Sequence, residues 1–294
     1  MENCTLCPRA CGVNRSQGKT GYCHSTATLK VARAALHPWE EPCISVGNGS
    51  GTVFFSGCNL GCVYCQNREI ATGEAGKEIT VNRLAEIFLE LQKQGAANIN
   101  LVTPTHYSPQ IKEGLVLAKK QGLALPIAYN CGGYEAVRTL RELEGFIDIY
   151  LTDFKYMDSV LSEAYSSAAD YPQVAKAALA EMVRQQPQPI LENGVMKAGV
   201  LVRHLLLPGE LLNGKAVVRY LYETYGNQIY ISLMNQYTPH GDLTQFPKLQ
   251  QKVTKKAYNK LVGFALDLGV EQAFIQEGDT ASESFIPPFL NQGV

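Results

Sequence analysis

The chain is poor in several features, and each shortage removes a class of protein. Charge is sparse and balanced, with Asp, Glu, Lys and Arg making up 18% of 294 residues and a formal net charge of −1. Binding to nucleic acid as a main task calls for a basic field that this composition lacks, so no nucleic-acid partner is expected. No run of about 18 apolar residues occurs, so no membrane-crossing helix is expected. The start, Met1-Glu2-Asn3-Cys4, has neither a basic leader nor an apolar stretch. No secretory signal is expected, and the expected location is the cytoplasm. Internal repeats, low-complexity segments and linkers are also missing. The five histidines form no His-Glu-x-x-His pair and no triad-like pattern. Disorder is excluded as well, because 46% of the residues are hydrophobic and recur along the whole length.

Cysteine is what the chain has in quantity. Nine occur, at 4, 7, 11, 23, 43, 58, 62, 65 and 131, and seven of them form two tight groups in the first quarter. An odd count in a chain of this length argues against a disulfide framework. Closely spaced thiolates in a reducing compartment point to metal instead.

Beyond residue 50, short β-branched runs alternate with helical patterns. Strands are expected at 52–57, 99–103, 125–129, 147–152, 200–206 and 228–234, with a last one at 271–276. Helices are expected near 80–94, 110–120, 134–143, 173–185, 215–225 and 252–268. Thr80 is placed as an N-cap, and Leu84, Ile87, Phe88 and Leu91 fall at i, i+3, i+4 and i+7. Apolar strands alternating with helices mean a parallel sheet covered by helices, so the fold class is α/β. Six or seven such units suit a full or partial α/β barrel, with a doubly wound open sheet as the alternative.

In either architecture the chemistry belongs at the C-terminal strand ends, where polar residues collect. They are Thr103-Pro104-Thr105-His106, Asn130-Cys131-Gly132-Gly133, Asp153 and Lys155, Arg203 and His204, and Asn235-Gln236. Period-2 alternation sets Ile149, Leu151, Asp153 and Lys155 on one face, apolar below and charged at the rim.

The first strand runs straight into Cys58-Asn59-Leu60-Gly61-Cys62-Val63-Tyr64-Cys65, a C-x-x-x-C-x-x-C motif. Three thiolates on one short loop can grip three irons of a cubane and leave the fourth iron open for chemistry. A structural zinc site with Cys43 as fourth ligand is the alternative, although zinc loops usually supply their cysteines in two separated pairs.

This motif, placed after the first strand of a βα series and with an aromatic before its last cysteine, resembles the radical S-adenosylmethionine superfamily. Segments 37–67, 98–107 (NINLVTPTHY), 129–135 (YNCGGYE), 148–158 (DIYLTDFKYMD), 203–209 (RHLLLPG) and 232–239 (SLMNQYTP) further resemble proteins related to pyruvate formate-lyase activating enzyme. The resemblance implies a partial (βα)6 barrel, placed with a C-terminal extension at 37–294; residues 1–36 are read separately, from their cysteines, as a small metal-binding segment. It implies a 4Fe–4S cluster on Cys58, Cys62 and Cys65, with S-adenosylmethionine chelating the open iron. Reductive cleavage then yields a 5′-deoxyadenosyl radical that abstracts hydrogen from substrate. Cofactor contacts are implied for Tyr64 beside the adenine, Asn67, Thr103, Thr105, His106, Asn130, Asp153, Lys155 and Gln236. Arg203 matches the arginine that pairs with the methionine carboxylate. The implied partners are a flavodoxin- or ferredoxin-type electron donor and a small-molecule or peptide substrate. The alternative substrate is the backbone glycine of a glycyl radical enzyme. Three departures from the activases bear on substrate: Thr103–His106 replaces a Gly-Gly-Glu stretch, Asn130 an Asp, and Gln236 a His.

The second cysteine group is Cys4, Cys7, Cys11 and Cys23, with Pro8, Gly12 and Gly21 suited to tight turns. Four sulfurs in a segment too small for its own core suit a metal that supplies folding energy. Structural zinc and an auxiliary iron–sulfur cluster both satisfy four cysteines. Cys43 is expected to be simply buried. Cys131, at a strand end, is left open to a role in the site.

Overall fold

A computed structural model gives the fold and describes residues 2–276 and 289–294. The chain opens with β1 (Leu29–His37), β2 (Ser50–Phe55), α1 (Arg68–Ala71), β3 (Lys77–Ile79) and α2 (Val81–Lys93). Next come β4 (Ile99–Val102), α3 (Ser108–Lys120), β5 (Ile127–Cys131), α4 (Val137–Glu142) and β6 (Ile149–Asp153). Helices α5 (Ser159–Ser166) and α6 (Tyr171–Gln185) precede β7 (Ile190–Glu192) and β8 (Val195–Leu205). The described chain ends with α7 (Leu211–Tyr225), β9 (Tyr230–Met234), α8 (Lys255–Leu268) and β10 (Ala273–Ile275).

Strands β2, β4, β5, β6, β8 and β9 are parallel neighbours in that order, and β10 extends them beyond β9. Among the described residues the sheet does not close, since β1 and β3 add antiparallel strands at one edge while β10 holds the other. The result is the expected α/β part-barrel, and Thr80 caps α2 by accepting from the Arg83 N–H.

The strand alternation sorts two cores. Val53, Leu101, Tyr129, Tyr150, Val200, Val202 and Ile231 face out and pack beneath the helices. Ala128, Ile149, Leu151 and Leu201 face the interior, where Cys43, Ile44 and Met196 meet them. The loop between β1 and β2 thus closes the N-terminal end of the barrel: Cys43 O accepts from the Met196 N–H at 2.9 Å, and Ile44 O from Asn98 Nδ2 at 2.8 Å. Cys43 is a packing residue, as its chemistry in an apolar pocket suggests.

Five elements have no counterpart in the sequence reading: β1, α1, β3, α5 and β7. The strand β1, Leu-Lys-Val-Ala-Arg-Ala-Ala-Leu-His, is rich in alanine and carries Lys30 and Arg33, so its pattern alone does not speak for a strand. It is extended because β2 and β3 pair with it on both sides. The boundary placed at 36/37 falls inside β1, so residues 29–37 lie in the sheet.

Candidate metal and cofactor centre

β2 ends at Phe55, and Ser56-Gly57 then turn the chain into the cysteine loop. Gly57 has φ +96°, and a Cβ there would sit 2.5 Å from Cys23 O, so the N-terminal segment presses directly on this turn. Cys58, Cys62 and Cys65 are half-buried, and Cys62 lies close enough to raise the thiol pKa of Cys58 and of Cys65. Burial is the larger cause, lifting Cys58 and pushing Cys65 up to about 12. Donors already point at the sulfurs: the Leu60 N–H at Cys58 Sγ (3.4 Å), the Asn67 N–H at Cys65, and the Ser166 hydroxyl at Cys62 Sγ (3.0 Å). Lys155 adds positive charge beside Cys58, Cys62 and Cys65. Three thiols on one loop, ringed by donors and a cation, fit an anionic iron–sulfur cluster that keeps them as thiolates. Among the described residues no three His, Cys, Asp or Glu side chains converge enough to hold a single metal ion.

Next to this loop the strand ends assemble a charged network. Asp153 ends β6 in register with Arg203 of β8, and Arg203 with Ser232 of β9. Lys155 Nζ lies 2.6 Å from Asp153 Oδ2, and Arg203 Nε lies 3.0 Å from Asp153 Oδ1. Arg203 Nη2 donates to Asn130 Oδ1 at 2.6 Å, and Nη1 meets Glu40 Oε2 at 3.3 Å. Burial works against the Asp153 carboxylate, but Lys155 and Arg203 outweigh it and hold its pKa below the usual range. Lys155 and Arg203 are held above theirs, burial being outweighed by Asp153 and, for Arg203, by Glu40. Glu40 and Glu41 are raised by burial, Glu41 to about 7. Asn100 and Ser232 face Glu40 and Glu41 without closing a hydrogen bond of normal geometry.

Of the sequence-derived candidates, Asn130, Asp153, Lys155 and Arg203 therefore meet beside Cys58, Cys62 and Cys65. The other candidates engage partners of their own, Tyr64 within the cysteine loop and Asn67 just after it. Thr105 turns beneath the N-terminal segment, where its hydroxyl donates to Glu135 at 2.8 Å. His106 is buried, with Nε2 on Ser56 O at 2.8 Å, and burial pushes its pKa down to about 3. Thr103 sits at φ +55°, with its N–H on Asn130 O at 2.9 Å. Tyr64 packs its ring edge-on to Tyr165 and Tyr237, with its hydroxyl 2.7 Å from that of Tyr156. Gln236 accepts from Gln276 Nε2 at 3.2 Å. Asn67 stands at the N-terminus of α1 behind Cys65. Cys131 faces the helical layer, its thiol 3.4 Å from Thr152 Oγ1.

Cys4, Cys7 and Cys23 are buried and Cys11 is exposed. Cys7 lies close enough to Cys4 and Cys23 to feel both, though burial is the main reason its thiol rises to about 12. The buried Arg15 directs Nη1 at Cys4 Sγ (3.9 Å) and at His106 O (2.5 Å), tying the knuckle to the β4–α3 turn.

Sequence reasoning passed over Glu40, Glu41, Arg9, Ser166 and Glu135. The acid pair Glu40-Glu41, between Trp39 and Pro42, reads as a solvated loop until the fold turns it inward. Arg9, between two cysteines, carried the one available signal, a long charged side chain in an otherwise small-residue knuckle.

The chain belongs to the Radical SAM superfamily, whose model matches residues 52–211, more than half its length. It is similar to the uncharacterized protein MJ0674 of Methanocaldococcus jannaschii, 26% identical over 275 residues that cover 90% of this chain and 75% of that one. It is also similar to the pyruvate formate-lyase-activating enzyme of Clostridium pasteurianum, 30% identical over 132 residues. That match covers 42% of this chain and about half (53%) of the enzyme. The fold is shared with Streptococcus suis SuiB, solved bound to its precursor peptide SuiA, at TM-score 0.50 and 14% identity, over 75% of this chain and 46% of SuiB. It is shared equally with methylornithine synthase (PylB), at TM-score 0.50 and 14% identity, over 74% of this chain and 60% of that one. Superfamily membership implies an enzyme that uses a 4Fe–4S cluster and S-adenosylmethionine.

Proposed function

We propose that this chain generates a 5′-deoxyadenosyl radical at a cluster held by Cys58, Cys62 and Cys65 and uses it to take hydrogen from a small molecule or peptide. One observation carries this reading: the three-cysteine loop and the Asn130–Asp153–Lys155–Arg203 network stand side by side at the C-terminal strand ends. A 4Fe–4S cluster held by these cysteines would supply, when reduced, the electron that breaks the sulfonium bond of S-adenosylmethionine. The protein's own part is placement. Arg203, held flat by Asp153 and Asn130, presents a guanidinium edge suited to a ligand carboxylate. Asp153 keeps Lys155 charged and oriented beside Cys62, where it balances the negative charge of the thiolates. Apolar packing at the barrel floor, built on Cys43, Ile44 and Met196, excludes water from below.

The Cys4–Cys7–Cys11–Cys23 group is read as a second metal site, zinc or iron–sulfur, whose thiols gather only when the metal binds. A flavodoxin- or ferredoxin-type donor is read as the reductant and the cytoplasm as the location, since the cluster chemistry needs reducing conditions. A second substrate reading, activation of a glycyl radical enzyme, is favoured by the likeness to the Clostridium pasteurianum activating enzyme. The departures at Thr103–His106, Asn130 and Gln236 favour the first.

Metal content tests the reading. Anaerobically reconstituted protein is compared with a Cys58/Cys62/Cys65→Ala variant for iron, zinc and 5′-deoxyadenosine formed from S-adenosylmethionine under dithionite. Loss of about four irons and of all 5′-deoxyadenosine in the variant supports it. Iron undiminished in the variant overturns it. Eight irons in the wild type, about four surviving in the variant, would make the second site a cluster and set aside the glycyl-radical reading.

A further inference from the structure

Arg9 lies between Cys7 and Cys11, yet its guanidinium leaves the knuckle and spans two other elements. Nε donates to Asn59 O at 2.9 Å and Nη2 to Leu60 O at 3.3 Å, both carbonyls of the three-cysteine loop. Nη2 also donates to Ser166 O at 3.0 Å, and Nη1 donates to Ser167 O. Tyr22, the residue before Cys23, stacks under the guanidinium at 3.7 Å and sends its own hydroxyl to Leu60 O at 3.0 Å. Planar five-donor geometry lets one arginine tie four carbonyls, a task a lysine ammonium cannot copy.

What Arg9 grips on the far side is the end of α5. Ser167 there is left-handed, at φ +46°, a conformation that costs a non-glycine residue and needs support from its surroundings. The preceding residue, Ser166, is fully buried and gives its hydroxyl proton to Cys62 Sγ at 3.0 Å. With that proton committed, the 2.8 Å contact to Tyr156 and the 2.7 Å contact from Tyr156 to Tyr64 run in one direction, Tyr64 to Tyr156 to Ser166 to sulfur.

We propose that Arg9 is a positioning residue for the catalytic cluster: by locking the cysteine loop to the end of α5, it holds the Ser166 hydroxyl on Cys62 and raises the cluster's reduction potential. Arg9 and Tyr22 hold each other in place, the ring under the guanidinium and both on Leu60 O. Hydrogen bonds to cluster sulfurs stabilise the more negative, reduced state and so move the potential upward. This rests on the cluster assignment to Cys58, Cys62 and Cys65.

The test is a redox titration of the reconstituted full-length protein, read by electron paramagnetic resonance of the reduced cluster. Ser166→Ala is expected to shift the potential to more negative values with iron retained. Arg9→Ala is expected to shift it the same way, and the double variant no further than Ser166→Ala alone. Arg9→Lys is expected to restore folding but not the potential, so it reads the same quantity if Arg9→Ala does not fold. An unchanged potential in Arg9→Lys or additive shifts in the double variant would overturn the proposal. A wild type that never takes up iron at Cys58, Cys62 and Cys65 overturns the functional reading instead, so the two failures are distinct.

Discussion

Glu40 reaches from the loop between β1 and β2 into the barrel and meets Arg203, Oε2 to Nη1 at 3.3 Å. It is the longest contact among those that Arg203 makes, Asp153 and Asn130 being nearer. All three nitrogens of the guanidinium are thereby engaged. These contacts use three of its five N–H donors, so a ligand carboxylate that takes the Nη1 edge competes with Glu40, the longest of the three. Arg203→Ala is expected to weaken S-adenosylmethionine binding by roughly ten- to a hundredfold, the worth of a charged hydrogen-bond pair. Glu40→Gln is expected to tighten it a few-fold by removing the competitor. Equilibrium dialysis of the reconstituted protein reads both, and unchanged affinity in Arg203→Ala would remove that residue from the binding site.

Glu41 predicts a pH dependence. Burial lifts its carboxyl to about 7 from the ordinary 4.5. The folded state therefore keeps a proton that the unfolded chain has lost, so stability linked to Glu41 is whole below about 4.5 and declines as pH rises through 7. The full amount is on the order of 3 kcal/mol. Glu41→Gln, which cannot ionise, is expected to flatten thermal stability between about pH 5 and 8 relative to wild type. Parallel melting curves for the two proteins would contradict this.

Gly133 has φ +80°, and a Cβ on it would stand 2.2 Å from Asp153 O and 2.8 Å from the Tyr171 hydroxyl. Neither the strand-end carbonyl nor the packed ring can retreat. Gly133→Ala is expected to cost about 3 kcal/mol or more, through both the left-handed backbone and the collision. Urea unfolding measures it; a midpoint within experimental error of wild type would mean that the strand end yields.

Tyr171 links the two turns that carry the network. Its hydroxyl accepts from the Lys155 N–H at 2.9 Å and donates to Gly132 O at 2.9 Å. Tyr171→Phe leaves both groups without this partner and is expected to lose about 1–3 kcal/mol. It should also lower S-adenosylmethionine affinity, because Lys155 and Asp153 sit on the loosened turn. A stability loss with unaltered affinity would restrict Tyr171 to a packing role.

Much of this was legible in the chain itself. The period-2 and period-3.6 patterns located the six strands of the part-barrel and the helices over them, because burial on one face writes its spacing into consecutive residues. The C-x-x-x-C-x-x-C spacing marked the cysteine loop, since three thiols so close in sequence fall on one short turn. Asp153 and Lys155 were readable as a pair, two residues apart at a strand end and hydrogen-bonded in the fold. Local sequence could not show that β1 is a strand, because β2 and β3 impose that conformation from either side. Nor could it show that Thr105 and His106 turn outward, since a 3-10 turn at Thr105–Tyr107 rotates them off the strand's alternation. Glu40 meeting Arg203 joins residues 163 apart, and Arg9 meeting Ser166 joins residues 157 apart. Such pairings follow no local period, and only closing the chain into its tertiary structure decides them.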